Sequence, residues 1–220
     1  MVALKRAHSK GGRPPLERAG EVEERILDAA QEIFVKRGFD GASVDEIAQT
    51  ARAGKPTIYA RYANKEALFK AVMARQVARN THFENLVPQG RSFHAKLVNL
   101  GIALSERALD GETIGLMRSG IAEAERFPEL TRGINDMARK RAAANLAKLL
   151  AELAREEGIA ARGAFAPDKI TDTARIFLDL VLFAMFISRL LGEDVKTLKK
   201  ELPAYVRQRV DFFLAACGRG

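Results

Sequence analysis

One cysteine, Cys217, stands in a chain of 220 residues that has no tryptophan at all. A lone thiol excludes an internal disulfide, and a reducing cytoplasm is the expected compartment. Proline is scarce, at 7 residues, so few positions forbid a helix. No stretch alternates apolar and polar residues as a half-buried strand would, and no internal repeat is found. The longest apolar run, Ile176 to Ile187, is interrupted by Asp179 and is too short to cross a bilayer, so it reads as a buried helix and no membrane partner is expected. The opening MVALKRAHSKGGRPP is basic but has no apolar segment behind it, so a secretory signal is not expected.

Catalytic constellations are missing as well. The histidines, His8, His82 and His94, lack metal-ligand spacing. Cys217 has no base near it in sequence. AGKPT has the lysine of a phosphate loop but neither the upstream glycine nor the following hydroxyl residue. Glu23-Glu24 and Glu156-Glu157 are adjacent on helices, so the members of each pair face different ways. No catalytic residue, metal or cofactor is therefore expected.

What is present is a helix-forming composition, 47% hydrophobic and 29% charged, with Ala, Leu, Arg and Glu frequent. The net charge is +8, which points to a polyanionic partner. The excess is local. Arg52, Lys55, Arg61, Lys65, Lys70, Arg75 and Arg79 face the single acid Glu66, while Lys5, Arg6, Lys10, Arg13 and Arg18 face only Glu17.

Residues 1–18 lack periodicity and read as a flexible basic arm. In the next segment Val22, Ile26, Ala29, Ala30, Ile33 and Phe34 recur on one helical face, and Gly38 ends the helix with Phe39 folding back. Ser43-Val-Asp-Glu46 is a capping box opening a short helix on Val44, Ile47, Ala48 and Ala51. Pro56 supports a second short helix, and Asn64 caps a long one reaching about Phe83. Past a boundary at Pro88 and Gly90, helices are predicted over 92–109, 112–126, 128–157, 167–191 and 194–216, with Pro203 kinking or restarting the last. The expected fold is all-α, with about nine helices.

Two short helices behind a longer one make a helix-turn-helix unit, whose second helix lies in the major groove. In KPTIYARYANKE that geometry turns Ile58 inward onto Ile47 and Phe34, and Thr57, Tyr59, Arg61 and Tyr62 outward. Thr57 offers a hydroxyl and a methyl for base edges, while Lys55 and the tyrosine hydroxyls suit phosphates. The amides capped by Asn64, with Lys65 beside them, suit another phosphate. Arg61 and Arg52 are added on charge. In the alternative reading, Tyr59 and Tyr62 are half-buried packing residues.

Residues 25–72, RILDAAQEIFVKRGFDGASVDEIAQTARAGKPTIYARYANKEALFKAV, resemble the DNA-binding domain of the tetracycline-repressor-like (TetR) regulators. The Ile-x-x-Ala-Ala helix, RGF, SVDEIA, TIYARY and NKEALF fall in the family's order and spacing. By this resemblance Ser43, Lys55, Thr57, Tyr59, Tyr62 and Lys65 match DNA-touching positions. Two departures stand out. Ala51-Arg52 replaces the family's Ala-Gly at the turn, where Gly54 is expected to absorb the geometry, and Pro56 removes one amide. GGRPP in the arm resembles the Gly-Arg-Pro core of minor-groove arms, which makes Arg13 a further contact residue; a solvated tail is the alternative.

The resemblance implies a DNA-binding domain over 19–66 and an effector-binding and dimerisation domain over 67–220. The latter pairs through its last two helices. Residues 115–130, GLMRSGIAEAERFPEL, resemble one branch of the family's C-terminal domain. Independently, the helix around Ile176–Ile187 is apolar nearly all round and needs cover from a core on one side and a partner subunit on the other. Phe186, Leu190, Val206, Val210 and Phe213 are the expected dimer interface. Met73, Phe93, Leu100, Leu104, Met117, Phe177, Phe183 and Met185 are candidates for an apolar effector pocket, and Asp179 is expected to pair with Arg175. The reading is a ligand-responsive regulator, a repressor by family habit, binding an inverted-repeat operator of double-stranded DNA as a homodimer and released by a small, largely apolar effector. A sequence-non-specific architectural DNA binder and a helical enzyme are the alternatives.

Overall fold

The computed structural model describes residues 16–83, 85–159 and 163–218. Arg13 and the rest of the expected arm up to residue 15 lie outside the described residues, as do the side chains of residues 16–19. Among the described residues the fold is all-α: α1 (Leu16–Gly41), α2 (Val44–Thr50), α3 (Lys55–Tyr59), α4 (Lys65–Thr81), α5 (Phe93–Ala108), α6 (Gly111–Ala122), α7 (Pro128–Glu156), α8 (Ile170–Leu190) and α9 (Val195–Cys217). A 3₁₀ turn, Gly163–Phe165, precedes α8.

α1 begins at Leu16, three residues inside the expected arm. Its hinge is Gly38, at φ 71° and ψ 178°, a conformation that costs glycine little because it has no Cβ. The turn folds Phe39 back until its ring is 6.0 Å from Phe34 and 5.3 Å from Phe69. Those rings join Ile26, Ile33, Ile47, Ile58, Val72 and Met73 in one buried cluster, which also takes in Leu116 of α6 and Ile134 of α7. Each such side chain contributes roughly 1.5–3 kcal/mol by leaving water.

A second core is built by α5, α7, α8 and α9, around Leu100, Leu104, Leu150, Phe177, Val181, Leu202, Val206 and Val210. Gly101 lets α9 come close: a Cβ there would stand 2.7 Å from Cγ1 of Val206. α9 runs through Pro203 as one helix rather than restarting. Pro203 is on the exposed side, where water can hydrate the carbonyl that loses its donor.

The α9 stripe therefore points the other way from the expected one. Val206, Val210 and Phe213 are buried in the chain's own core and present nothing to a partner. Phe186 and Leu190 are half-buried. Along α8 and α9 the large apolar side chains left exposed are Ile176, Phe183 and Ile187, Leu191 just past α8, and Phe212 on α9. Phe183, expected as pocket lining, is 65% exposed. Asp179 pairs with Arg139 of α7 at 3.2 Å, and Arg175 pairs with Asp172 at 3.0 Å instead. Asp179 pairs across helices because α7 packs along α8 and brings a cation that sequence spacing cannot reveal. None of the described helices is long and apolar enough to cross a membrane.

Candidate nucleic-acid interface

Ser43 caps α2 by accepting the Glu46 amide at 3.1 Å. Only that half of the capping box is used for capping, because the Glu46 carboxylate pairs with Arg37 at 2.8 Å. After α2 the chain reverses through Arg52, which adopts φ 49° itself, while Gly54 stays extended at φ −70°. The expected transfer of the strained geometry to Gly54 does not occur. The turn is closed by the Ala53 amide donating to the Ala48 carbonyl at 3.0 Å and Arg52 donating to Gln49 at 3.1 Å. Arg25 of α1 braces it, donating to the Ala51 carbonyl at 3.3 Å.

α3 then starts on Lys55 and Pro56, and Ile58, at 1% exposure, pins it into the N-terminal core. With that side anchored, Tyr59 is left 51% exposed and Thr57 half-buried. Lys55 is exposed and pairs with Asp45 of α2. Arg61 is exposed, with its guanidinium donating to the Thr57 carbonyl at 3.3 Å. Ser43, Arg52, Lys55, Tyr59 and Arg61 are thus exposed on or beside α2 and α3.

Two expected members are turned inward. Tyr62 is buried at 8% exposure, and its hydroxyl donates to Glu23 of α1 at 3.2 Å. Burial, and then the Glu23 charge and hydrogen bond, push its pKa from 10.0 up to about 12. Lys65 donates to the carbonyls of Phe39 at 2.8 Å and Ala42 at 3.1 Å, and its ammonium lies 4.4 Å from the centre of the Phe39 ring. It closes the end of α1, where carbonyls lack helical donors. Asn64 behaves as expected, accepting the Ala67 amide at 2.8 Å. Sequence reading missed Glu23, Asp45 and Arg25, whose partners lie on other elements; Glu23 was visible only as one of two adjacent acids.

The effector-pocket candidates are not gathered around one cavity. Met73 belongs to the N-terminal core, and Leu104, Phe177 and Met185 are close-packed in the second core. Phe93 is half-buried with its ring 5.4 Å from Phe165, and Met117 is half-buried on α6. Leu100 alone of the set lines either of two open hollows near α5. One of about 480 Å³ is lined by Asn80, Leu86, Ala103, Glu106, Arg107 and Asp110, and one of about 270 Å³ by Leu86, Val87, Pro88, Gln89, Asn99, Leu100 and Ala103.

Residues 26–72 match the family described as "Bacterial regulatory proteins, tetR family". Residues 95–219 match "AefR-like transcriptional repressor, C-terminal domain". Among curated relatives, the HTH-type transcriptional activator FasR of Mycolicibacterium smegmatis is 40% identical over 79 residues, which is 36% of this chain and 32% of FasR, so the match spans about a third of that protein. Among solved structures, one from Mesorhizobium loti, titled a TetR-family transcriptional regulator, superposes with a TM-score of 0.78 at 25% identity, covering 90% of this chain and 98% of that one. The flavonoid-responsive regulator FrrA superposes with a TM-score of 0.65 at 26% identity, covering 90% and 97%.

Proposed function

This chain belongs to the tetR family of bacterial regulatory proteins, and from that premise we propose that it is a ligand-responsive repressor which binds an inverted-repeat operator as a homodimer. The family and the relatives described above are transcriptional regulators, not enzymes. The observation that carries the reading is the division of α3 between Ile58, locked in the core, and Tyr59, held outward beside Thr57 and Lys55. A helix anchored on one side presents the other to a groove without further ordering cost. Thr57 and Tyr59 meet base edges and sugar-phosphate. Ser43, Arg52, Lys55 and Arg61 supply phosphate contacts, and Lys55 exchanges the Asp45 carboxylate for a phosphate.

The exposed apolar residues of α8 and α9 support the dimer. Ile176, Phe183, Ile187, Leu191 and Phe212 are a surface that a two-fold partner would cover with its own copy. Two copies of α3 would then read half-sites roughly 34 Å apart, one turn of DNA. A small effector shifts operator affinity by its differential affinity for two conformations of the dimer. Such a regulator works in the cytoplasm, with the chromosome.

Selection of bound fragments from a genomic library, followed by mobility-shift titration, tests the reading. An operator of two inverted half-sites, preferred over scrambled duplex by ~10³-fold or more, is expected. Equal affinity for both would identify an architectural binder instead.

A further inference from the structure

α6 touches two distant parts of the molecule through neighbouring residues. Ser119 is buried, and its hydroxyl donates to the Phe34 carbonyl of α1 at 3.0 Å. Two turns earlier, Gln31 of α1 donates to Glu112 at 2.9 Å, and Leu116 between them sits in the N-terminal core. That flank of α6 grips the reading unit. Arg118, one position before Ser119 and about 100° round the helix, reaches elsewhere. Its Nε donates to the Leu190 carbonyl and its Nη2 to the Arg189 carbonyl, both at 3.1 Å.

These are the last carbonyls of α8, where helical donors run out. The closing turn supplies some: Leu191 donates to Ile187 at 2.9 Å, Glu193 to Ser188 at 3.0 Å and Gly192 to Arg189 at 3.2 Å. The Leu190 carbonyl receives none of these amides, and Arg118 takes it. A guanidinium there also suits the negative end of the helix dipole. Its donors lie in one rigid plane, so gripping two successive carbonyls fixes direction as well as distance. The helix end that it holds bears Ile187 and Leu191, 37% and 84% exposed, from the apolar surface given above to the partner subunit.

We propose that Arg118 is a positioning residue that sets the separation and angle of the two reading helices in the dimer. This role rests on the homodimeric, operator-binding reading and adds to it what fixes the spacing of the half-sites. Contacts run from the apolar face through the end of α8 to Arg118, and from Ser119 through α1 to the core that seats Ile58 of α3. One extra base pair between half-sites moves the second by ~3.4 Å and turns it by ~35°. A stiff link matches one spacing and rejects its neighbours, whereas a loose one accepts several at lower peak affinity. α7 also packs on both α8 and α4, so losing Arg118 loosens the link without severing it.

Mobility-shift titration of the full chain tests this role. The duplexes carry the two half-sites recovered by the fragment selection, at the recovered spacing and with one or two base pairs added or removed. Wild type is expected to prefer the recovered spacing. Arg118→Ala should cut that preference by about fivefold or more while sedimentation shows the dimer intact. Arg118→Lys keeps the charge but loses the planar fork, so its preference should fall between the two. Loss of a helix cap with no positioning role would weaken every spacing alike. An unchanged spacing profile in Arg118→Ala, whatever its overall affinity, therefore overturns the assignment; should that variant fail to fold, an unchanged profile in Arg118→Lys does so. A wild type indifferent to spacing would sink the operator reading and this role together, whereas a selective wild type with an equally selective Arg118→Ala sinks only the role of Arg118.

Discussion

Gly115 of α6 lies against Val35 of α1 so closely that a Cβ at 115 would stand 2.6 Å from the Val35 Cγ1. The contact joins α1, the helix that fronts the reading unit, to α6 of the larger half. Val35 is β-branched and has one strongly preferred rotamer in a helix, so it cannot swing aside cheaply. Gly115→Ala should therefore destabilise the fold by ~1–3 kcal/mol in urea denaturation, even though alanine is the better helix former by about 1 kcal/mol. Adding Val35→Ala should restore most of the loss. A stable Gly115→Ala single variant would show that the two helices can slide past each other.

Tyr59 and Tyr62 stand three residues apart and face opposite environments. Tyr59→Ala should weaken operator binding by ~1–3 kcal/mol in mobility-shift titrations without altering thermal stability. Tyr62→Phe should do the reverse, costing ~0.5–1.5 kcal/mol of stability with the loss of the Glu23 bond and sparing operator affinity.

The raised pKa of Tyr62 makes part of its contribution pH-dependent. The unfolded phenol ionises near 10, whereas the folded one does so at about 12. Folded chains therefore hold the proton longer, and the contribution is fully present below pH ~10 and lost as pH rises towards about 12. Guanidinium midpoints across that window should fall more steeply for wild type than for Tyr62→Phe.

Arg52 occupies the left-handed region at φ 49°, which costs a residue with a Cβ ~1–2 kcal/mol. Arg52→Gly should keep or raise stability, and Arg52→Val should lower it by ~1–2 kcal/mol, since β-branched residues tolerate this conformation worst. A thermal melt of each variant is sufficient.

Phe183 and Phe212 are 65% and 67% exposed. Replacing both by glutamate should weaken self-association by ~10²-fold or more in sedimentation, as expected when central apolar anchors are lost. Operator affinity should fall with it. Unchanged association would remove α8 and α9 from the dimer reading.

The first half of the chain was readable because its signals are local. Gly38 and Phe39, the Ser43 and Asn64 caps, Pro56 and the inward Ile58 depend on neighbours within a turn or two, and each stands where spacing put it. Misreadings begin where a partner is distant in sequence. Lys65 was legible as a cation beside a helix start, but the carbonyls of Phe39 and Ala42 that hold it come from the end of α1. Asp179 took Arg139, 40 positions away, over Arg175 on its own helix.

Sequence by itself thus determined the helices, their caps and the family, because hydrogen bonding and apolar periodicity along one chain settle those within a few residues. Tertiary packing alone decided which faces stayed open. Val206, Val210 and Phe213 form an amphipathic stripe that suits a partner's helix as well as the chain's own core. Only the close approach of α9 to Gly101 consigns them to the core and leaves Phe212 and Phe183 outside. A hydrophobic stripe is non-directional, so it says that a face will be buried and not against what.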